Sequence, residues 1–501
     1  MIYFINEYLL QKNSSVEHAA INRVQLFAHQ HVPAKIVTKI YDRLLMQTIN
    51  QFDLQPAQVV NMFDYFQGTQ AVPAKVMRTE SLHLPAEYQV MIGANYSQVF
   101  NGDDLVTNVG FIPGTIGRVF YQEFFDNQGN LLSTDLWDWR GFKSATQYFG
   151  QNGKLIMTRY YNLAGQVVLE EYFVPDTKGA PLTSRIILKN YAGVAERFFQ
   201  NTDDLFNFFI AELSRQDSEQ TIFISDRPGT GVQPLLQLND DAKKYVVVPI
   251  YHAKAINDPL HAPLDGFLQP ALDNLDHFDG FITPTPSQAQ HLQRRYARAH
   301  VTAIPTVTAR TAKQQPLVPM AQRPKQLLYV GRFAPDRQLD QLIRVVALVR
   351  KSVPDVTCDL YGYGDPAYVE TLEKLIAELD LTQQVRLKDY QRPFATIYDQ
   401  YQLLLNTALA NGGPLAMQEA QAHGLPVISY RFNYGPADYV LDGQDGYVID
   451  SGDQLTMSKR IVALLQAPQQ LVDFSQAAYQ KMHTRQTPTK VWRRWQQLLA
   501  L

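Results

Sequence analysis

Apolar and polar positions along the chain fall into three regimes. From residue 1 to about 72, short apolar runs alternate with helical patterns: Ile2–Ile5 reads as a strand, Ser15–His29 as a helix and Ala34–Thr38 as a second strand. That alternation is the start of an open α/β sheet. Residues 75 to 186 change period. Glycines recur every twelve residues, at 129, 141, 153 and 165, and each has an aromatic four positions earlier: Phe125, Trp137, Phe149 and Tyr161. Turn signals repeated between alternating runs predict a meander of β-hairpins. The aromatics read either as carbohydrate-stacking groups or, more simply, as one packing residue per hairpin. From about 187 the α/β alternation returns, with strands expected over 221–225, 245–251, 278–283 and 301–304 and a helix over 288–299. Residues 308 to 325 are rich in Thr, Ala, Gln and Pro and read as a linker, since Val318 and Arg323 each precede a proline and so avoid helix. A second α/β alternation begins at Gln326, with strands over 326–330, 356–361, 385–388 and 403–408 and a helix over 340–351. The last thirty residues are helical, with Trp492 and Trp495 on one face.

The stretch from Asn411 carries the most chemistry. It runs Asn411, Gly412, Gly413, Pro414, Leu415, then Glu419 and Gly424, followed by a short apolar run over 425–430 and by Gly435-Pro436 and Asp442-Gly443. Pro414 suits the first turn of a helix, where its missing N–H is not needed. Gly424 suits the residue after the helix end, where a left-handed backbone is cheap without a Cβ. A glycine-flanked helix start followed by a buried strand presents backbone N–H groups that favour anions. Glu419 falls one or two turns into that helix, and taken alone would read as a solvated surface group.

Composition narrows the function. A chain of 501 residues holds two or three domains, and 46% apolar with 19% charged residues describes a globular protein with ample core. A net charge of −3 gives no reason to expect nucleic acid or polybasic membrane binding. The single cysteine, Cys358, excludes an intramolecular disulfide framework and reads as a buried thiol in a reducing compartment. The N-terminus reads as a first strand and lacks the basic leader of a signal peptide, and no run approaches the length of a membrane span. The expected location is the cytoplasm, with peripheral association at the inner face of the cell membrane left open.

The 411 to 446 block, together with Gly331-Arg332 after a strand, resembles the nucleotide-sugar site of retaining glycosyltransferases of family four. The resemblance implies the α/β GT-B architecture, two Rossmann-like domains facing a cleft. The N-terminal, acceptor-side domain would comprise 1–74 and 187–307, a β-meander domain would be inserted at 75–186, the UDP-sugar domain would span 308–475, and a C-terminal helix at 476–501 would return to the first domain. It also implies roles. Arg332 and Arg337 would hold the leaving diphosphate and Glu419 the ribose, with Gly412, Leu415 and Lys388 completing the donor site. Asn411 and His252 would stand at the transferred sugar, although a strand-end His such as His252 reads equally well as a packed residue. No metal is expected, and no cofactor beyond the UDP-sugar. Four positions depart from the family pattern: Asn411 replaces a glutamate, Arg337 a lysine and Ala255 a second histidine, and the loop from Lys12 to His18 lacks glycine. In that loop Ser14 or Ser15 reads as a helix cap, and Glu17, His18, Asp226 and Arg227 are further candidates for the site.

The segment from Asn13 to Arg23 resembles two bacterial groups: the poly(glycerol-phosphate) α-glucosyltransferases of the TagE and TarM type, which decorate teichoic acid, and the GtfA/GtfB pair, which adds N-acetylglucosamine to serines of Gram-positive surface proteins. The resemblance implies a GT-B subunit of a protein O-glycosylation complex using UDP-GlcNAc. The four departures favour the stabilising, acceptor-holding role of GtfB, because losing one charged hydrogen bond to a sugar costs roughly 1.5–3 kcal/mol. The partner would be a paralogous glycosyltransferase subunit, and the meander would hold that partner or a serine-rich acceptor. An active retaining transferase remains the alternative, either GtfA-like or acting on a polyol-phosphate polymer. A pure carbohydrate-binding scaffold is the third reading.

Overall fold

The computed structural model describes residues 1–217, 220–309, 316–391 and 397–501, so part of the expected 308–325 linker lies outside the described residues. The chain divides into two compact units. The first comprises Met1–Gln11, Ala34–Thr221 and Gln233–Ala242, and the second Lys12–Pro33, Ile222–Val232 and Lys243–Leu501.

In the first unit, Ile2–Ile5, Ala34–Thr38 and Val59–Asn61 pair in parallel. Asn61 then caps the helix Met62–Gln67, its side-chain oxygen accepting the N–H groups of Phe63 and Asp64 at 2.9 and 3.2 Å. Most of the unit is a ten-stranded antiparallel sheet in which each strand lies beside its sequence neighbours, from Gln89–Met91 to Val194–Phe199. One local rule builds the central hairpins. Asp126, Asn162 and Asp176 each stand three residues before a glycine, and each side-chain oxygen accepts backbone N–H groups two and four residues on. The glycines supply the left-handed backbone that closes the loop, with φ of +81° at Gly129 and +75° at Gly165. Strand pairing shifts register at Phe125, Trp137 and Tyr161. Trp137 donates its indole N–H to Gln122 at 3.2 Å and Tyr161 is buried, so these rings pack the sheet. The antiparallel sheet also outruns its expected end at 186, because Pro181–Tyr191 and Val194–Phe199 form one more hairpin before the helix Thr202–Gln216.

The sheet is locked to the short helix by buried polar contacts. Gln67 donates to the carbonyls of Ser144 and Tyr161 at 2.8 and 2.7 Å, and Arg140 bonds Asp64, Asp138 and the Thr69 carbonyl at 2.6 to 2.7 Å. Tyr160 packs on Phe63 and Tyr41, with ring centroids 4.9 and 5.0 Å apart.

The second unit holds two parallel arrays. Ile222–Ser225, Lys243–Val247, Gly280–Thr283 and Val301–Ala303 pair in sequence order. The strand expected to reach residue 251 stops at Val247, since Pro249 has no N–H to offer a ladder. The other array is a six-stranded parallel sheet ordered Val385–Asp389, Cys358–Gly362, Lys325–Val330, Tyr401–Asn406, Val427–Tyr430, Gly446–Ile449. Read by sequence rank this is 3-2-1-4-5-6, the doubly wound order whose switch point lies between the first and fourth strands. Leu327, Leu360, Leu405 and Ile428 from the strands bury against Leu342, Ile343 and Val346 of the helix Leu339–Arg350. Cys358 is buried in this core, where burial pushes its thiol far above the ordinary range. The last helix, Pro488–Leu499, packs Trp492 and Trp495 edge-on against Phe27 of the helix Ser15–His29 at 5.0 and 5.6 Å. Among the described residues, no helix is long and apolar enough to cross a membrane.

Candidate functional site

A cavity of about 150 Å³ opens in the second unit at the carboxyl ends of the six-stranded sheet. Ligands bind doubly wound sheets at this place, because strand ends and following turns diverge at the switch point. Arg332 and Arg337 reach it from the turn after Lys325–Val330, and Tyr361 and Tyr363 from the end of Cys358–Gly362. Tyr390 follows Val385–Asp389, Asn411 follows Tyr401–Asn406, and Leu415 and Glu419 come from the helix Leu415–Ala422.

The arginine turn is tightly held. Tyr329 donates its hydroxyl to the Arg332 carbonyl at 2.9 Å. Arg337 lies 3.3 Å from Asp336 and donates to the Ala410 carbonyl at 3.3 Å, which ties it to the Asn411 loop. The Arg332 guanidinium is 49% exposed and 3.8 Å from Asp336, so its charge remains available to an anion. Opposite, Pro414 precedes the helix in an extended conformation, one position earlier than expected, and the helix has no side-chain cap. Its first-turn N–H groups, at Leu415 and Ala416, border the cavity and add to the positive field there. Gly424 ends the helix with the anticipated left-handed backbone, at φ +66°.

Asn411 is held on every side but one. Its N–H donates to Asn433 at 3.0 Å, its carbonyl accepts from Tyr434 at 2.6 Å, and its side-chain oxygen accepts the Gly413 N–H at 3.2 Å. Only the side-chain NH₂ stays uncommitted among the described residues. Glu419 is 8% exposed and accepts the Tyr398 hydroxyl on Oε2 at 2.7 Å. Its Oε1 is buried and has no hydrogen-bond partner among the described residues. Burial raises this carboxyl to about 7, and the hydrogen bond from Tyr398 opposes the rise.

Three expected donor-site residues do not line the cavity. His252 is fully buried, its Nε2 2.9 Å from the Pro259 carbonyl and its ring stacked on Tyr434, and burial lowers it to about 4. Gly412 serves close packing instead: a Cβ there would stand 2.3 Å from the Pro249 carbonyl oxygen. Lys388 lies on Val385–Asp389, and the cavity contacts come from Tyr390 and Gln391 beyond that strand's end. The glycine-free loop does contribute, since Asn13, Ser14, Ser15 and His18 border the cavity. Ser14 caps the first helix in a capping box with Glu17, and Glu17 also accepts from Arg227 at 2.7 Å. Asp226 is paired with the buried Arg23. His18 sits 2.7 Å from the Tyr390 hydroxyl and is lowered to about 3 by burial, while Lys12 meets Asp389 at 2.6 Å. The tyrosines at 361, 363, 390 and 398 escaped sequence reasoning. For Tyr361, Tyr363 and Tyr390 the signal available was their place at or just beyond strand ends, which many aromatics share; Tyr398 lies in a short turn before the strand Tyr401–Asn406. Among the described residues no group of three or more His, Cys, Asp or Glu side chains is placed to hold a metal ion.

Arginines, a helix start and a buried carboxylate thus surround one switch-point cavity on a GT-B fold. The crystal structure of the pneumococcal O-GlcNAc transferase GtfA superimposes with a TM-score of 0.86 over 100% of this chain and 98% of that one, at 21% identity. Residues 312–481 match the family Glycosyl transferases group 1, and residues 4–227 match a family of accessory Sec system proteins. The GtfA subunit of the UDP-N-acetylglucosamine–peptide N-acetylglucosaminyltransferase of Streptococcus gordonii is 23% identical over 99% of this chain and 98% of its own length. The poly(ribitol-phosphate) alpha-N-acetylglucosaminyltransferase of Staphylococcus aureus is 24% identical over 64% of each chain. The fold is that of the GT-B glycosyltransferases, and the chain is similar over nearly its whole length to the group that contains the GtfA/GtfB and TarM proteins.

Proposed function

We propose that the chain is a UDP-sugar-binding GT-B subunit of a bacterial protein O-glycosylation system, with UDP-N-acetylglucosamine as donor and serine or threonine hydroxyls of a surface protein as acceptors. The observation that carries this reading is the convergence of Arg332, Arg337, Asn411 and Glu419 on one cavity. The diphosphate would lie against the two arginines and the start of the helix Leu415–Ala422, the ribose against Glu419, and the sugar against Asn411. End-to-end likeness to a GtfA subunit and the match to an accessory Sec protein support the choice of system.

Within that system the chain takes the supporting role. Asn411, Arg337, Ala255 and the glycine-free loop all depart from the catalytic pattern, and His252 spends its Nε2 on Pro259. A paralogous glycosyltransferase subunit is the partner, working in the cytoplasm, and the antiparallel sheet holds that partner or the acceptor chain. The retained cation pair and Glu419 favour one competing reading, an active retaining transferase. There the acceptor hydroxyl would attack the anomeric carbon on the face from which the diphosphate departs. The bond from that carbon to the diphosphate oxygen breaks, the bond to the acceptor oxygen forms, and the hydroxyl proton leaves on the diphosphate.

The test is to purify the chain alone and with its paralogous subunit, to measure UDP binding by calorimetry, and to assay UDP-N-acetylglucosamine turnover on a serine-rich acceptor. Binding without turnover by the lone chain, and turnover by the pair, is the expected result. Robust transfer by the lone chain selects the second reading, and failure to bind UDP defeats both.

A further inference from the structure

Glu419 does not stand alone in the cavity wall. Tyr398 is 1% exposed, and its hydroxyl takes Oε2 of Glu419 at 2.7 Å. The backbone beneath this pair is fixed by Arg323, one of the largest fully buried side chains. Arg323 donates to the carbonyls of Tyr398 and Tyr401 at 3.1 Å and to that of His423 at 2.6 Å. It thereby ties the turn carrying Tyr398 to the end of the helix carrying Glu419. The phenol and the carboxylate are held together before any ligand arrives, and Oε1 is left buried without a partner among the described residues. A buried acceptor in that state is costly unless something supplies a donor.

Resting on the UDP-sugar reading above, we propose that Tyr398 is a positioning residue for the nucleoside: by holding Oε2 of Glu419 it fixes the carboxylate and leaves Oε1 to accept from the ribose. Tyr398 has a second effect: burial raises the Glu419 carboxyl and the hydrogen bond from Tyr398 opposes the rise, leaving it at about 7. The other titratable or charged groups lining the cavity are His18 on the first helix, Tyr329 on the strand Lys325–Val330, Tyr361, Tyr363 and Tyr390 at the strand ends, and Arg332 and Arg337 on the turn after residue 330. Burial keeps His18 neutral and raises the Tyr329 and Tyr390 phenols further above neutrality, and burial brings the Glu419 carboxyl to about 7, so a binding step near neutral pH is assigned to Glu419.

The experiment titrates UDP-N-acetylglucosamine, whose diphosphate diester does not ionise near neutrality, into the full chain at mildly acidic to mildly alkaline pH. The native chain should lose affinity as pH falls below about 7. Tyr398→Phe should bind about tenfold more weakly at neutral pH, with its loss of affinity beginning roughly one pH unit higher. Equal affinity and an unmoved pH profile in Tyr398→Phe would overturn the proposal. Absence of binding by the native chain would instead defeat the donor reading on which it rests. A second measurement uses uridine, which carries the ribose and no diphosphate: Tyr398→Phe should weaken uridine by about the same tenfold factor as UDP-N-acetylglucosamine. A loss confined to the diphosphate ligand would overturn the assignment of Tyr398 to the nucleoside.

Discussion

Two buried glutamates make the same contact and end differently. Glu171, in the antiparallel sheet, accepts the Tyr160 hydroxyl at 2.8 Å on one oxygen and the Thr183 hydroxyl at 2.6 Å on the other. Glu419, in the parallel unit, accepts the Tyr398 hydroxyl at 2.7 Å and leaves its second oxygen empty-handed among the described residues. They are 7% and 8% exposed, so burial does not separate them. Their surroundings do. Glu171 lies opposite Thr158 and Ile186 in regular cross-strand register, and neighbouring strands supply partners for both oxygens. Glu419 faces a cavity that no strand fills. A saturated carboxylate is part of the architecture, and one left half-saturated beside a cavity is poised for a ligand.

The largest effect should come from the saturated member. Glu171→Ala strands the Tyr160 phenol and removes packed atoms, and should destabilise the first unit by roughly 3–4 kcal/mol. Denaturant unfolding measures the loss, and calorimetry on the folded fraction should find UDP affinity unchanged. Glu419→Gln should do the reverse. Burial raises the Glu419 carboxyl in the fold to about 7 from an ordinary value of 4.5, so its contribution to stability is intact below 4.5 and declines as pH rises through about 7. Glutamine never ionises. Without ligand, Glu419→Gln should therefore be the more stable protein at alkaline pH by up to about 3 kcal/mol, with the difference vanishing in acid. A native chain as stable as the variant at alkaline pH would remove the contrast between the two glutamates.

The next effect is on binding. Arg332→Ala should weaken UDP affinity by about ten- to a hundredfold, the worth of a charged hydrogen bond, and leave uridine affinity unaltered. Because the Arg332 guanidinium is half exposed, that loss should shrink at high salt. An equal loss for uridine and UDP would place Arg332 away from the diphosphate.

The contrast also explains how much the sequence could tell. Ile2–Ile5, Ser15–His29 and Ala34–Thr38 appear at their expected bounds because short-range signals set them, the capping box of Ser14 and Glu17 among them. The meander was legible for the same reason: its central hairpins repeat an aromatic and, four residues on, a turn glycine. Its end was missed because the spacing lengthens after Gly165, where the next turn glycine is Gly179. In the site, Arg332, Arg337, Asn411 and Glu419 were singled out by the resemblance of two short motifs to a known family, and the cavity brings them together. Tyr398, Tyr390 and the buried Arg323 were not, since their partners lie 21, 372 and up to 100 residues away and no local pattern announces them. His252 and Gly412 were placed by motif, but one is used up by Pro259 and the other by close contact with Pro249.

The smallest effect tests the position where the motif changed. In Asn411 the side-chain oxygen is spent on the Gly413 N–H, so the group left for a sugar is an NH₂ donor, where the family presents a carboxylate acceptor. Asn411→Asp keeps the shape and the bond from Gly413 and exchanges only that donor for an acceptor. The added charge would weaken binding of any diphosphate, so absolute affinity is a poor readout. The ratio of UDP-N-acetylglucosamine to UDP affinity cancels that common term and isolates the sugar. It should fall about fivefold, the worth of roughly 1 kcal/mol for one neutral hydrogen bond. A ratio that holds steady would mean that Asn411 shapes its own loop and never meets the sugar. The retained site would then be a nucleotide grip alone, with the glycosyl end of the cavity left to the partner subunit.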